Sequence, residues 1–75
     1  MRLKDSTLNS IKKNYRLRRA LMDLHEVSEQ TIMAWVRKNY PKLIEYNSLQ
    51  LTSAYLKKDI DELVIKEEHD FKPVV

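Results

Sequence analysis

The stretch Leu21-Met22-Asp23-Leu24-His25-Glu26-Val27-Ser28-Glu29-Gln30-Thr31-Ile32-Met33-Ala34-Trp35-Val36-Arg37 decides the fold. Ser28 is a good helix N-cap, because its hydroxyl can accept a hydrogen bond from an orphan backbone N–H. Glu29 then puts a carboxylate at the positive end of the helix dipole. The helix should run from Glu29 to about Asn39, since Pro41 disfavours helical geometry at Tyr40. At about 100° per residue, Ile32, Trp35 and Val36 fall on one side. Gln30, Met33, Ala34 and Arg37 share the opposite side, within an arc of roughly 100°. Upstream, Leu17, Leu21 and Leu24 repeat at i, i+4, i+7 with Ala20 among them, the stripe of a second amphipathic helix. Asn14 is its expected cap, and Arg16, Arg18 and Arg19 fall toward solvent or the edge of the stripe. The reading is helix, short turn, helix.

Further helices follow on both sides. One is expected from Asp5 or Ser6, either of which can cap it, to about Lys13, with Leu8, Ile11 and Tyr15 on its apolar face. Residues 40–46 read as a loop anchored by Leu43 and Ile44. Asn47 can cap a fourth helix with Leu49, Thr52, Ser53 and Leu56 inside. A last helix starts at Asp59, where Asp59-Ile60-Asp61-Glu62 is close to a capping box and Ile60, Leu63 and Val64 form the inner stripe. Phe71 to Val75 reads as a tail in which Pro73 forbids helix. The fold class expected is all-α, a compact bundle of about five short helices containing a helix-turn-helix. It forms one domain, 1–70, followed by the tail 71–75.

Composition agrees. The chain has 75 residues, 43% hydrophobic and 33% charged, which is one domain's worth. Its core must be thin. The absence of glycine and the presence of only two prolines point to helices joined by tight, non-glycine turns. There is no cysteine, so neither a disulfide nor thiolate chemistry is available. His25 and His69 lie 44 positions apart, which is no metal-ligand spacing. The longest apolar run, Ile32 to Val36, is far too short to span a membrane, and Met1 to Asp5 lacks the apolar stretch of a signal peptide. A soluble, cytoplasmic protein is expected. No Ser–His–Asp arrangement exists at plausible spacing, and a thin-cored chain is a poor host for a deep pocket. No catalytic residue, metal, cofactor or small-molecule substrate is therefore expected.

Charge is unevenly placed. Residues 1–42 carry ten Lys/Arg against four Asp/Glu, a net +6, and residues 43–75 carry four against seven, a net −3. The basic excess peaks at Lys12, Lys13, Arg16, Arg18 and Arg19. This pattern suits an anion-seeking face, and equally a solvated basic surface. A helix held by its apolar side, with short polar and basic residues on the other, can enter the DNA major groove.

Residues 21–37, and above all Val27-Ser28-Glu29-Gln30-Thr31-Ile32, resemble the helix-turn-helix family of Cro and lambda-repressor-like (XRE-type) regulators. Asp59-Ile60-Asp61-Glu62-Leu63-Val64 resembles that family's closing helix, so the likeness covers about residues 8–65. The size fits a stand-alone phage or mobile-element regulator. Two positions depart from the family pattern. Met22 stands where a small residue, typically Ala, is usual. Glu26 stands where Gly is usual, and a left-handed backbone there costs a non-glycine residue roughly 1–2 kcal/mol.

The resemblance implies a sequence-specific double-stranded DNA-binding regulator, in the first place a repressor, acting as a homodimer in the cytoplasm at a bacterial nucleoid. By the same resemblance Ser28, Glu29, Gln30, Met33, Ala34 and Arg37 occupy DNA-facing positions. Gln30 suits adenine, and Arg37 suits guanine or a phosphate. Lys12, Lys13, Arg16, Arg18 and Lys38 would hold phosphates and set register. Plainer readings stand beside these. Trp35 belongs to the core rather than to a base stack, and His25 is a helix-terminus residue rather than a ligand. Asp59, Asp61 and Glu62 suit capping rather than a metal. Arg37 and Lys38 also suit a helix C-terminus, and Arg19 a solvated charge. Leu51, Tyr55, Ile65 and Phe71 are candidates either for dimer contact or for the chain's own core. The competing function is a helical protein-interaction module using Met33, Ala34 and Trp35, in which Glu29 repels phosphate.

Overall fold

The computed structural model describes residues 1–65. The expected tail at 71–75, with Phe71, and His69 lie outside them. The architecture is an all-α bundle: α1 (Asp5–Lys13), α2 (Tyr15–His25), α3 (Glu29–Lys38), a 3₁₀ turn (Pro41–Ile44), α4 (Tyr46–Leu56) and α5 (Ile60–Leu63). It is closed by a ribbon of two short strands that sequence reading did not anticipate. β1 (Arg2–Leu3) pairs antiparallel with β2 (Val64–Ile65), Arg2 opposite Ile65 and Leu3 opposite Val64.

The core is a single cluster drawn from every element. Leu3, Ile11, Leu17, Leu21, Ile32, Val36, Leu43, Leu49, Leu63 and Val64 are buried in it. Each fully buried Leu or Ile contributes roughly 1.5–3 kcal/mol of transfer free energy. Met22, bulky where the resemblance expects a small residue, is partly buried and packs against the cluster with Val27 and Trp35.

Three helices end in a left-handed residue, and none of the three is glycine: Glu26 (φ 57°), Asn39 (φ 52°) and Lys57 (φ 57°). The following N–H folds back five residues each time. Val27 donates to Met22 at 3.0 Å, Tyr40 to Trp35 at 3.0 Å and Lys58 to Ser53 at 3.2 Å. These Schellman-type closures satisfy helix-end carbonyls that would otherwise lack partners.

Several local expectations are corrected. Lys4, not Asp5 or Ser6, is the N-cap of α1 and makes no side-chain cap bond. The start of α1 is held from the far end of the chain instead. Lys4 N–H and the Thr7 hydroxyl both donate to the Leu63 carbonyl, at 3.0 and 2.9 Å. Tyr15 is exposed, because the chain turns at Asn14 and the angular count from α1 stops there. Leu24 remains 39% exposed at the outer edge of α2. Residues 41–44 wind into the 3₁₀ turn rather than a plain loop, with Pro41 opening it. Asn47 lies inside α4, whose N-cap is Glu45 without a side-chain bond. The capping box at Asp59 does not form; Glu62 N–H donates to the Asp59 carbonyl at 2.9 Å. Val64 leaves the last helix for β2, where β-branched residues fit the pleat.

Candidate nucleic-acid interface

The candidate site is α3 and the turn that delivers it. Asn14 caps α2 by accepting from Leu17 N–H at 3.0 Å. Glu26 then reverses the chain and Val27 packs on the core. Ser28 caps α3, its Oγ accepting from Thr31 N–H at 3.3 Å. The same oxygen lies 3.2 Å from the Thr31 hydroxyl, so Ser28 is largely occupied in closing its own helix.

The inner side of α3 is fixed by Ile32 and Val36, both buried. Trp35 is half-buried and has aromatic neighbours on both flanks. His25 meets it edge-on at 5.1 Å, and Tyr40 stacks at 5.4 Å with planes 26° apart. Its indole is thereby built into the protein, as the core reading of Trp35 requires.

The outer side is open. Glu29, Gln30 and Arg37 are exposed, and Met33 and Ala34 are half-buried. Glu29, Gln30, Met33 and Arg37 line one shallow depression of about 540 Å³. Ala34 stands beside it and is not one of its walls.

Arg18 departs from the expected arrangement. Its Nε donates to Glu29 Oε2 at 3.1 Å, and its side chain is only 14% exposed. Its Nη1 donates to the carbonyls of Ile11, at 3.4 Å, and Lys12, and the guanidinium lies 5.7 Å from the centre of the Tyr15 ring. Arg18 is thus a strut joining the end of α1 to the start of α3, rather than a free cation. Glu29 is correspondingly a neutralised carboxylate. The carboxylate is half in solvent, so the pair contributes at most about 1 kcal/mol.

The other expected cations are distributed. Lys12, Lys13 and Arg16 are exposed where α1 meets α2, and Lys13 and Arg16 line a separate depression with Ser10, Asn14, Tyr15 and Leu56. Lys38 sits 6.0 Å from the centre of the Tyr40 ring. Arg19 donates to the Tyr15 hydroxyl at 3.2 Å. That bond, with Asp23 adding to it, holds the Arg19 guanidinium above its ordinary value, so it stays charged.

Two positioning features escaped the sequence reading. Asn39, just beyond α3, accepts from Leu3 N–H through Oδ1 at 3.3 Å and donates from Nδ2 to the Leu3 carbonyl at 3.0 Å. Its amide completes the second edge of β1, so the end of α3 is tied to the terminal ribbon. Buried Ser48 donates to the Lys42 carbonyl at 2.9 Å and lies 2.7 Å from His25 Nε2. A hydroxyl has one proton, so His25 must donate through Nε2. An Asn after a helix signals a left-handed cap, but no local signal identifies Leu3 as its partner.

Among the described residues no group of three or more His, Asp or Glu could hold a metal, and no helix is long and apolar enough to cross a membrane. Comparison with protein-family models, curated proteins and solved structures finds no match to this chain.

Proposed function

We propose that this chain is a sequence-specific double-stranded DNA-binding regulator of the Cro and lambda-repressor-like kind, most simply a repressor of a phage or mobile element. The observation that carries the reading is the division of α3. Its inner side is fixed by Ile32, Val36 and Trp35, while Glu29, Gln30, Met33 and Arg37 line an open depression on the other. A major groove admits a helix presented in this way. Gln30 reads adenine through a bidentate pair, Arg37 reads guanine or clamps a phosphate, and Met33 with Ala34 packs on thymine methyls. Lys12, Lys13, Arg16 and Lys38 hold phosphates and set register. Arg18 acts indirectly, by holding Glu29 so that its charge does not oppose the backbone. A single module of this size covers too little DNA for tight specific binding, so two copies share a two-fold site.

The test is selection of bound sequences from a random duplex pool, repeated with Gln30→Ala and Arg37→Ala. A defined site should emerge, and each substitution should relax preference at its own position, at about 1–3 kcal/mol per base contact. Lys12→Ala and Arg16→Ala should weaken all sequences alike, each lowering the slope of log affinity against log salt by about 0.9. Weak binding with no enriched site and little salt dependence would overturn the reading in favour of a protein-binding module.

A further inference from the structure

The outer face of α4 does not look like a solvated surface. Tyr46–Leu56 contains no Asp, Glu, Lys or Arg in a chain that is 33% charged. Among the described residues it is the one helix without a charged side chain. Its polarity is also mixed: Ser48 and Thr52 are buried beside Leu49, while Leu51 is half-buried and Ala54 and Tyr55 are exposed. On α2 alongside, Leu24 is exposed and Ala20 half-buried. Ala20, Leu24, Leu51 and Ala54 line a mainly apolar groove of about 540 Å³ between the two helices, with Asp23, Asn47 and Gln50 as its polar walls. Charge depletion combined with exposed aliphatic and aromatic side chains marks the centre of protein interfaces.

We infer that this α2–α4 face is where a second copy of the chain docks, about a two-fold axis. The charges select that occupant. Two copies carry the same net +3, so they associate most readily across the α4 side, which has no charged residue, while Asp23 on α2 is the one charge lining the groove. An acidic partner would instead be drawn to the cations between Lys12 and Arg19. The rim of the groove on α2 carries both signs, with Arg19 one turn before Asp23. A two-fold axis sets such a rim antiparallel to itself, so that the cation of one copy approaches the acid of the other. Ala20 and Ala54 are small enough to let the helices come close, and Leu24, Leu51 and Tyr55 fill the space between them. Two helices each about 16 Å long bury area near the lower limit for a specific interface, so the free dimer should be weak. None of the groove residues lines the depression on α3, so docking leaves that side open. The use of this dimer on DNA rests on the proposed function; its existence does not.

The test therefore omits DNA. Sedimentation velocity of the full chain should show a concentration-dependent monomer–dimer equilibrium. Ala54→Arg alters an exposed position and should preserve the helical circular dichroism while raising the dissociation constant at least tenfold. Gln30→Ala should leave it unchanged. The chain has no cysteine, so Lys58→Cys, at an exposed position just past α4 and outside the groove, gives a single site for a spin label. In a mixture with isotopically labelled, spin-free chain, the label should broaden resonances of Ala20, Leu24 and Leu51 in the other copy. A chain monomeric to millimolar concentration, a dimer indifferent to Ala54→Arg, or a dimer in which the label leaves Ala20, Leu24 and Leu51 of the other copy unbroadened would each overturn the inference. Loss of site selection with an intact dimer would sink the DNA reading alone.

Discussion

Helices α3 and α4 have nearly the same length and opposite logic. In α3 the apolar residues Ile32 and Val36 go inside and Glu29, Gln30 and Arg37 stay out. In α4 the hydroxyls of Ser48 and Thr52 go inside, while Tyr46 is 67% and Tyr55 41% exposed. The difference lies in what satisfies the buried atoms. Ser48 Oγ donates to the Lys42 carbonyl and accepts from His25, and Thr52 Oγ1 donates to the Ser48 carbonyl at 2.9 Å. A buried hydroxyl with partners is inexpensive, and its small volume lets α4 sit close to its neighbours. Residue polarity therefore predicts burial in α3, where transfer free energy decides, and holds only in part in α4, where Leu49 goes inside but hydrogen bonding and close approach take Ser48 and Thr52 in with it.

The comparison can be broken by substitution. The largest effect should come from Ile32→Ala, which leaves a cavity beneath α3 and should cost about 2–5 kcal/mol in a denaturant titration. A fall of each 1 kcal/mol lowers Tm by about 4–8 °C in a domain this small. Ser48→Ala comes next, at about 1–3 kcal/mol, because the Lys42 carbonyl and His25 Nε2 lose their partner inside the protein. If Ser48→Ala is thermally silent, α4 is not held by hydrogen bonds and the contrast with α3 collapses.

The same contrast explains what could be read from the sequence. The end of α1, the start of α2 and the span of α3, the caps Asn14 and Ser28 and the buried pair Ile32 and Val36 are local or periodic, so composition and spacing reveal them. The open side of α3 is the complement of that stripe and is legible for the same reason. What is not legible is set at long range. The β1–β2 ribbon joins residues more than sixty positions apart, and Asn39 reaches Leu3 across 36 positions. Arg18 looked like one more cation, because its partner Glu29 lies eleven residues on, beyond a turn whose geometry fixes the encounter.

The left-handed helix ends sharpen the point at smaller magnitude. Glu26 and Asn39 have almost the same backbone angles, near φ 55° and ψ 51°. Only Asn39 has its side chain bonded to another strand. Glu26→Gly should therefore relieve strain and raise stability by about 1 kcal/mol. Asn39→Gly relieves little, since Asn already tolerates this region, and removes two hydrogen bonds, for a net loss of about 1–2 kcal/mol. Hydrogen exchange at the Leu3 amide separates the two: it should accelerate in Asn39→Gly and stay unchanged in Glu26→Gly. Equal effects would mean that the amide is a cap and not a tie.

The smallest effect on stability concerns the pair that joins α1, α2 and α3. Arg18 and Glu29 are bonded at 3.1 Å, but the carboxylate is 46% exposed, so solvent screens the attraction. A double-mutant cycle with Arg18→Ala and Glu29→Gln should give a coupling of about 0.2–1 kcal/mol. The two variants should nonetheless diverge on duplex DNA. Glu29→Gln removes a negative charge beside the groove-facing side and leaves the Arg18 cation uncompensated, so affinity should rise and the salt slope steepen by up to about 0.9. Arg18→Ala leaves the carboxylate without its cation and should weaken binding at every sequence. The signs separate the possible roles of Arg18. A strut that neutralises Glu29 predicts opposite changes in affinity for the two variants. A cation already on a phosphate predicts that Glu29→Gln leaves the salt slope where it was.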